Sequence, residues 1–176
     1  MKIFPVAGAA GSEQRKQLKQ TVYIETTIPS YYFSQRKEPE ISVLEQWTRD
    51  WWDNERHDYE LVTSLAVIEE LERGDHPLKK EKLAMISSLK QLELTPEILQ
   101  TVETYIAHKL MPADPQGDAL HLALASHCKC DILLSWNCKH IVNYQKAPHS
   151  ANINRMLGLP VPALLTPFDL LKTRYA

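Results

Sequence analysis

At 176 residues the chain is the length of one domain and is long enough to bury a core of its own. Hydrophobic residues at 44% and charged residues at 24% exclude wholesale disorder. Twenty Lys+Arg against 22 Asp+Glu give a formal net charge of −2, which excludes a globally basic nucleic-acid binder and leaves any grip on a polyanion to a local patch.

Met1 to Gln20 has a short apolar start followed by Lys16 and Lys19, the reverse of the basic-then-apolar order of a secretory signal. It is expected to be a tail, helical near its end, with residues 21–176 forming the domain. Thr21-Val22-Tyr23-Ile24 is β-prone and ends at the polar run Glu25-Thr26-Thr27-Ile28-Pro29-Ser30. Ile41, Leu44, Trp47 and Trp51 recur at helical spacing, which predicts an amphipathic helix over Pro39 to Asn54. Leu61 to Thr63 reads as a second strand. A helix follows from Leu65 to Arg73, with Ser64 able to cap it and Gly74 ending it.

Lys79 to Lys90 predicts a polar helix with Leu83, Ile86 and Leu89 on one side, and Leu92 to Leu94 a brief strand. Thr95-Pro96-Glu97 is a helix start, with Thr95 as cap and Pro96 in the first turn, of a helix running to about Leu110. Met111 to Gly117 is a loop, Asp118 to His127 an apolar helix and Asp131 to Ser135 a buried strand. Asn152 to Leu157 and Ala163 to Leu165 close the list with a short helix and a last strand. Strands alternating with helices predict an α/β fold built on a parallel sheet.

Three cysteines in no paired spacing predict a reducing, cytoplasmic setting. No apolar run approaches the roughly 18 residues of a membrane span. Five glycines provide no phosphate-cradling loop, and no nucleophile elbow is present.

In open α/β sheets ligands bind beyond the carboxyl ends of the strands. Glu25 follows the first strand, Glu70 lies on the helix after the second, Asp118 opens the helix before the next strong strand, and Asn137 follows that strand. Carboxylates gathered in one pocket repel one another. A hard divalent cation such as Mg²⁺ or Mn²⁺ relieves that repulsion, polarises a phosphoryl group and makes water more acidic. Asp118, in a first helical turn, is also favoured as an anion by the helix dipole.

Four stretches resemble the PIN-domain family, the VapC-like ribonuclease toxins: Val22 to Ser30, Thr63-Ser64 through Glu70-Leu71, Gly117 to Ala125, and Asp131 to Asn137. The resemblance covers nearly all of Thr21 to Leu171. It implies a Rossmann-like fold, with a central parallel sheet of about five strands flanked by helices on both faces. It also implies Mg²⁺- or Mn²⁺-dependent endoribonuclease activity, a homodimer, and an antitoxin protein partner. On that resemblance Glu25, Glu70, Asp118 and Asn137 are the metal-holding and catalytic positions, and Thr26, Ser135 and His140 support them. The chain departs from the family pattern twice. Glu25 stands where the first Asp is usual, and Asn137 stands where the fourth acid is usual, offering a carbonyl oxygen without charge. One metal bound adequately, and a second bound weakly if at all, follow from this. The alternative is a degenerate scaffold that binds RNA or a protein without cutting.

Other residues have plainer readings. Glu69 competes with Glu70 as the acid of its helix. Trp47 and Trp51 are spaced four apart, as on a core face, and Trp52 is expected to be the exposed one. His121 and His140 are expected at the surface or in packing. His127, Cys128, Cys130, Cys138 and His140 lack the knuckle spacing of a structural zinc site. Lys79, Lys80 and Lys82 are expected to form a solvated helix face, with a phosphate-facing patch as the alternative.

Overall fold

The structure is a computed structural model that describes residues 18–173; the first 17 residues of the tail expected over Met1 to Gln20 lie outside them. Five strands form one sheet: β1 (Thr21–Ile24), β2 (Glu60–Ser64), β3 (Lys90–Leu92), β4 (Ile132–Leu134) and β5 (Ala163–Leu165). Their order is β3-β2-β1-β4-β5, and every neighbouring pair is parallel. β1 is central: Val22 pairs with Leu61 on one side and Ile132 on the other. Strands covered on both faces need apolar side chains in both directions, which is why Val22, Tyr23, Ile24, Ile132, Leu133 and Leu134 are all buried.

The helices are α1 (Thr27–Tyr32), α2 (Pro39–Asn54), α3 (Leu65–Arg73), α4 (Lys79–Ser87), α5 (Pro96–Ala107), α6 (Asp118–His127), α7 (Ala147–Met156) and α8 (Pro167–Thr173). A single 3-10 turn, Arg56–Asp58, leads into β2. Helix contacts run α1 to α2 and α4, α3 to α4 and α2 to α8 in one set, and α5 to α6 in another. Right-handed crossovers account for this division. The chain steps from β1 outward through β2 to β3, then returns to the other side of β1 for β4 and β5, so its helices change face between β1 and β4. No helix among the described residues is long and apolar enough to cross a membrane.

Several expectations need correction. The helix expected to reach Lys90 ends at Ser87, and the strand expected over Leu92 to Leu94 lies at Lys90–Leu92. Lys90 and Gln91 pair with Val62 and Thr63, and this long-range ladder overrides local helical preference. α5 stops at Ala107 because Lys109 adopts a positive φ of 56°, which no helix continues. α7 begins five residues before the expected Asn152. Helices α1 and α8 were not expected. The first tolerates Pro29 because the amide it removes lies in the first turn, where no intrahelical partner exists. The second carries a legible signal, Thr166-Pro167-Phe168-Asp169, in which the Asp169 carboxylate accepts from the Thr166 amide (2.9 Å) and hydroxyl (2.7 Å).

Ser64 does not cap α3 with its side chain; its hydroxyl lies 2.7 Å from the Tyr23 phenol. Thr95 likewise makes no side-chain cap, and its carbonyl instead accepts from the amide of Ile98. Trp52 is buried, not exposed: Trp51 and Tyr32 meet it edge-on and the Arg56 guanidinium lies 4.8 Å above its ring. Trp47 is the half-buried one, stacked on Phe168 with centroids 4.1 Å apart.

Candidate metal centre

The change of helix face between β1 and β4 leaves a crevice at their carboxyl ends, and Glu25 sits in it. Its backbone amide continues the ladder by donating to the Leu134 carbonyl at 3.3 Å. The side chain, only 4% exposed, turns under α1. One oxygen, Oε2, accepts three hydrogen bonds: from the Thr27 amide at 3.0 Å, the Thr27 hydroxyl at 2.5 Å and the Ser135 hydroxyl at 2.9 Å. The two hydroxyls are themselves oriented by backbone, since Thr27 Oγ1 accepts from the Trp136 amide and Ser135 Oγ from the Asn137 amide. The start of α1 and the end of β4 thus hold one carboxylate between them. Burial pushes the Glu25 carboxyl above its ordinary value, opposed by His121 and by these donors.

Glu70 comes from α3. Its Oε2 accepts from the Thr26 hydroxyl at 2.7 Å and faces His121 Nε2 at 3.3 Å. Partial burial pushes this carboxyl up, but the His121 and Thr26 hydrogen bonds outweigh it and hold Glu70 below its ordinary value. Glu69 points elsewhere, into an apolar groove beside Leu94 and Leu99.

His121, on α6, is 1% exposed and sits among the acids rather than at the surface. Its Nδ1 lies 2.9 Å from the Tyr23 hydroxyl, which reaches Ser64 in turn. Burial alone would lower its pKa. The hydrogen bond to Glu70 and the charges of Glu25, Glu70 and Asp118 reverse that, and the imidazole is raised above its ordinary value.

Asp118 lies one turn earlier on the same helix, three residues away and therefore on the same face. Its Oδ1 accepts from Asn137 Nδ2 at 2.8 Å, while Asn137 Oδ1 accepts from the His140 amide at 3.1 Å. These two bonds assign the amide orientation: Asn137 presents its NH₂ to the carboxylate and turns its carbonyl away. Burial pushes Asp118 up, opposed chiefly by His140 and His121. The half-buried His140 leaves its Nδ1 enclosed and without a hydrogen-bond partner among the described residues.

Ligand atoms of Glu25, Glu70 and His121 all lie within 4.8 Å of one another. Two carboxylates and one imidazole in that space fit a divalent cation. The tautomer they require, with the lone pair on Nε2, follows if Nδ1–H donates to Tyr23 and Tyr23 donates to Ser64. No such convergence joins the cysteines: Cys128, Cys130 and Cys138 are free, and among the described residues they form no metal-ligating group. Sequence reasoning brought Glu25, Glu70, Asp118, Asn137, Thr26, Ser135 and His140 to this crevice. It did not place Thr27 or His121 there. The Asp118–His121 spacing of three on one helix is the signal that points to the histidine.

No family model matches the sequence, and no curated protein matches it. Among solved structures, the fold is similar to the crystal structure of FitAcB from Neisseria gonorrhoeae. The TM-score is 0.50, at 10% identity, over 84% of this chain and 98% of that one. The likeness concerns the fold, and it agrees with the five-stranded parallel sheet flanked by helices that the four sequence stretches imply.

Proposed function

We propose that this chain, whose fold is of the PIN type, is a divalent-metal-dependent endoribonuclease formed by residues 21–176. The observation that carries the reading is the convergence of Glu25, Glu70 and His121, with Asp118 beside them, at the point where the strand order reverses. A fold alone does not specify a function, but charged groups brought together at that point need a ligand to explain them.

Glu25, Glu70 and His121 would hold the cation. When bound, it supplies Lewis acidity toward a phosphoryl oxygen and lowers the pKa of water. Oxygen ligands accept either Mg²⁺ or Mn²⁺, and the imidazole nitrogen tilts the preference toward Mn²⁺. Thr27 and Ser135 occupy Oε2 of Glu25, which leaves Oε1 for the cation. Thr26 does the same for Glu70. Asp118 leaves Oδ2 to orient the attacking water, while Asn137 holds Oδ1. Asn137 serves here as a positioning residue through its NH₂ group.

In this reading the substrate is RNA, and a small antitoxin protein and a second copy of the chain are its protein partners. The test is cleavage of RNA with and without Mn²⁺ by the wild type and by Asp118→Asn. Metal-dependent cutting that the variant loses, with its fold intact by circular dichroism, is the expected result. Cutting by the variant at the wild-type rate overturns the assignment. Folded, antitoxin-free wild type that cuts nothing leaves a scaffold that binds RNA or protein without catalysis.

A further inference from the structure

A second concave site lies at the far end of α1. A cavity of about 460 Å³ opens between the last turn of α1, the segment that follows it and the start of α4. Tyr31 and Phe33 form aromatic walls, and Arg36 and Lys82 bring positive charge to it. The lysine is the unusual feature. Lys79, Lys80 and Lys82 were expected to share a solvated face, yet Lys82 is only 8% exposed. Its position on α4 turns it inward beside Ile86, one turn further along, while Lys80 stays outside.

Among the described residues neither Lys82 nor Arg36 forms an ion pair, and the charge that acts on Lys82 is the like charge of Arg36. An ammonium lining a concave site with no counter-charge, and with a second cation nearby, is less well stabilised than one in open water. An anion entering the cavity would relieve both. Burial, with Arg36 adding to it, already holds Lys82 below the ordinary lysine value.

The same short helix connects this cavity to the acidic crevice. Thr26 and Thr27 at the start of α1 hold Glu70 and Glu25, and Ser30 and Tyr31 at its end line the cavity. Four residues separate Thr27 from Tyr31, a rise of about 6 Å along the helix. About two stacked nucleotide steps of about 3.4 Å cover that rise. We propose that the cavity is a subsite for a backbone phosphate of single-stranded RNA, gripped by Lys82 and Arg36, with the adjoining base stacked on Tyr31 or Phe33. The choice of RNA rests on the ribonuclease reading; the anionic character of the ligand rests on the cavity alone. Aromatic walls beside cations are the usual means of holding single strands without base-specific readout.

The experiment is fluorescence anisotropy with a short fluorescein-labelled oligouridylate in chelator, across a salt series, on wild type, Lys82→Met, Lys82→Arg and Arg36→Gln. Lys82→Met keeps the aliphatic stem and removes a buried charge, so its thermal midpoint should equal or exceed that of wild type. The slope of log affinity against log salt should fall by about 0.7 in Lys82→Met and in Arg36→Gln, with Lys82→Arg restoring it. Wild-type affinity and slope in Lys82→Met overturn the proposal, as does a wild type that does not bind the oligonucleotide. Cleavage is read separately: an unchanged slope with intact metal-dependent cutting removes the subsite and leaves the nuclease. The altered slope without any cutting removes the nuclease and leaves the subsite.

Discussion

His121 and Glu70 meet across the crevice, Nε2 to Oε2 at 3.3 Å, with the imidazole almost fully enclosed and the carboxylate half exposed. The pair joins two elements far apart in sequence, α3 and α6, at the point where a cation would lie. Its behaviour depends on Tyr23, which holds the opposite ring nitrogen.

Tyr23→Phe removes the hydroxyl that meets both His121 Nδ1 and the Ser64 hydroxyl. Groups that orient a metal-binding histidine typically contribute 10–100-fold to affinity. Calorimetric titration should therefore show Mn²⁺ binding weakened by about that factor, with Mg²⁺ binding changed less. Removing this buried hydroxyl should also cost about 1–3 kcal/mol in urea unfolding. Unchanged Mn²⁺ affinity in a folded variant would separate Tyr23 from the metal.

The same cluster sets a pH dependence. His121 is held above its ordinary 6.5, so its contribution to stability is fully present below 6.5 and is lost as pH rises through the higher folded value. Glu70 is held below its ordinary 4.5, so its contribution is present above 4.5 and is lost as pH falls through the lower folded value. Glu25 and Asp118 are raised, so their ionisation in the folded protein costs stability as pH rises above their ordinary 4.5 and 3.8. In chelator, the thermal midpoint should therefore decline from mildly acidic pH toward alkaline pH. Mn²⁺, which competes with the His121 proton, should bind more tightly over the same rise. Melting curves and Mn²⁺ titrations at several pH values read the two trends, and parallel rather than opposite trends would contradict this account.

Asn137→Asp replaces an NH₂ that donates to Asp118 with a carboxylate 2.8 Å from it. Two carboxylates at that separation repel unless a proton or a cation lies between them. The variant should melt lower than wild type in chelator and gain more from added Mn²⁺ or Mg²⁺. Differential scanning fluorimetry with and without metal compares these shifts. Equal metal-induced shifts in the two proteins would mean that Asn137 and Asp118 lie outside the reach of the cation.

Much of this architecture was legible without coordinates. β1 and β5, α2, α3 and α6 fall where apolar periodicity and breakers place them, because each depends on neighbours within a turn or two. β3 and the end of α4 did not, because pairing with β2 across more than twenty residues decided the conformation of Lys90 and Gln91. α1 and α8 are too short for periodicity to register. Trp52 followed the same pattern: its sequence position suggested the outside of α2, and the packing of Tyr32 and Arg56 enclosed it.

The sequence by itself determined the alternation of strands and helices, hence a parallel sheet, and the positions of Glu25 and Asp118 at element ends, because both follow from local chemistry. Only the tertiary structure decided which side chains share the crevice. His121 becomes a neighbour of Glu25 and Glu70 because α6 brings it against Tyr23 near the carboxyl end of β1, and Thr27 because α1 starts beside Glu25. Lys82 is enclosed because α4 packs on α1. Burial and proximity between distant segments shift how readily His121 and Lys82 hold their protons, and neither is a property of a residue and its immediate neighbours in the chain.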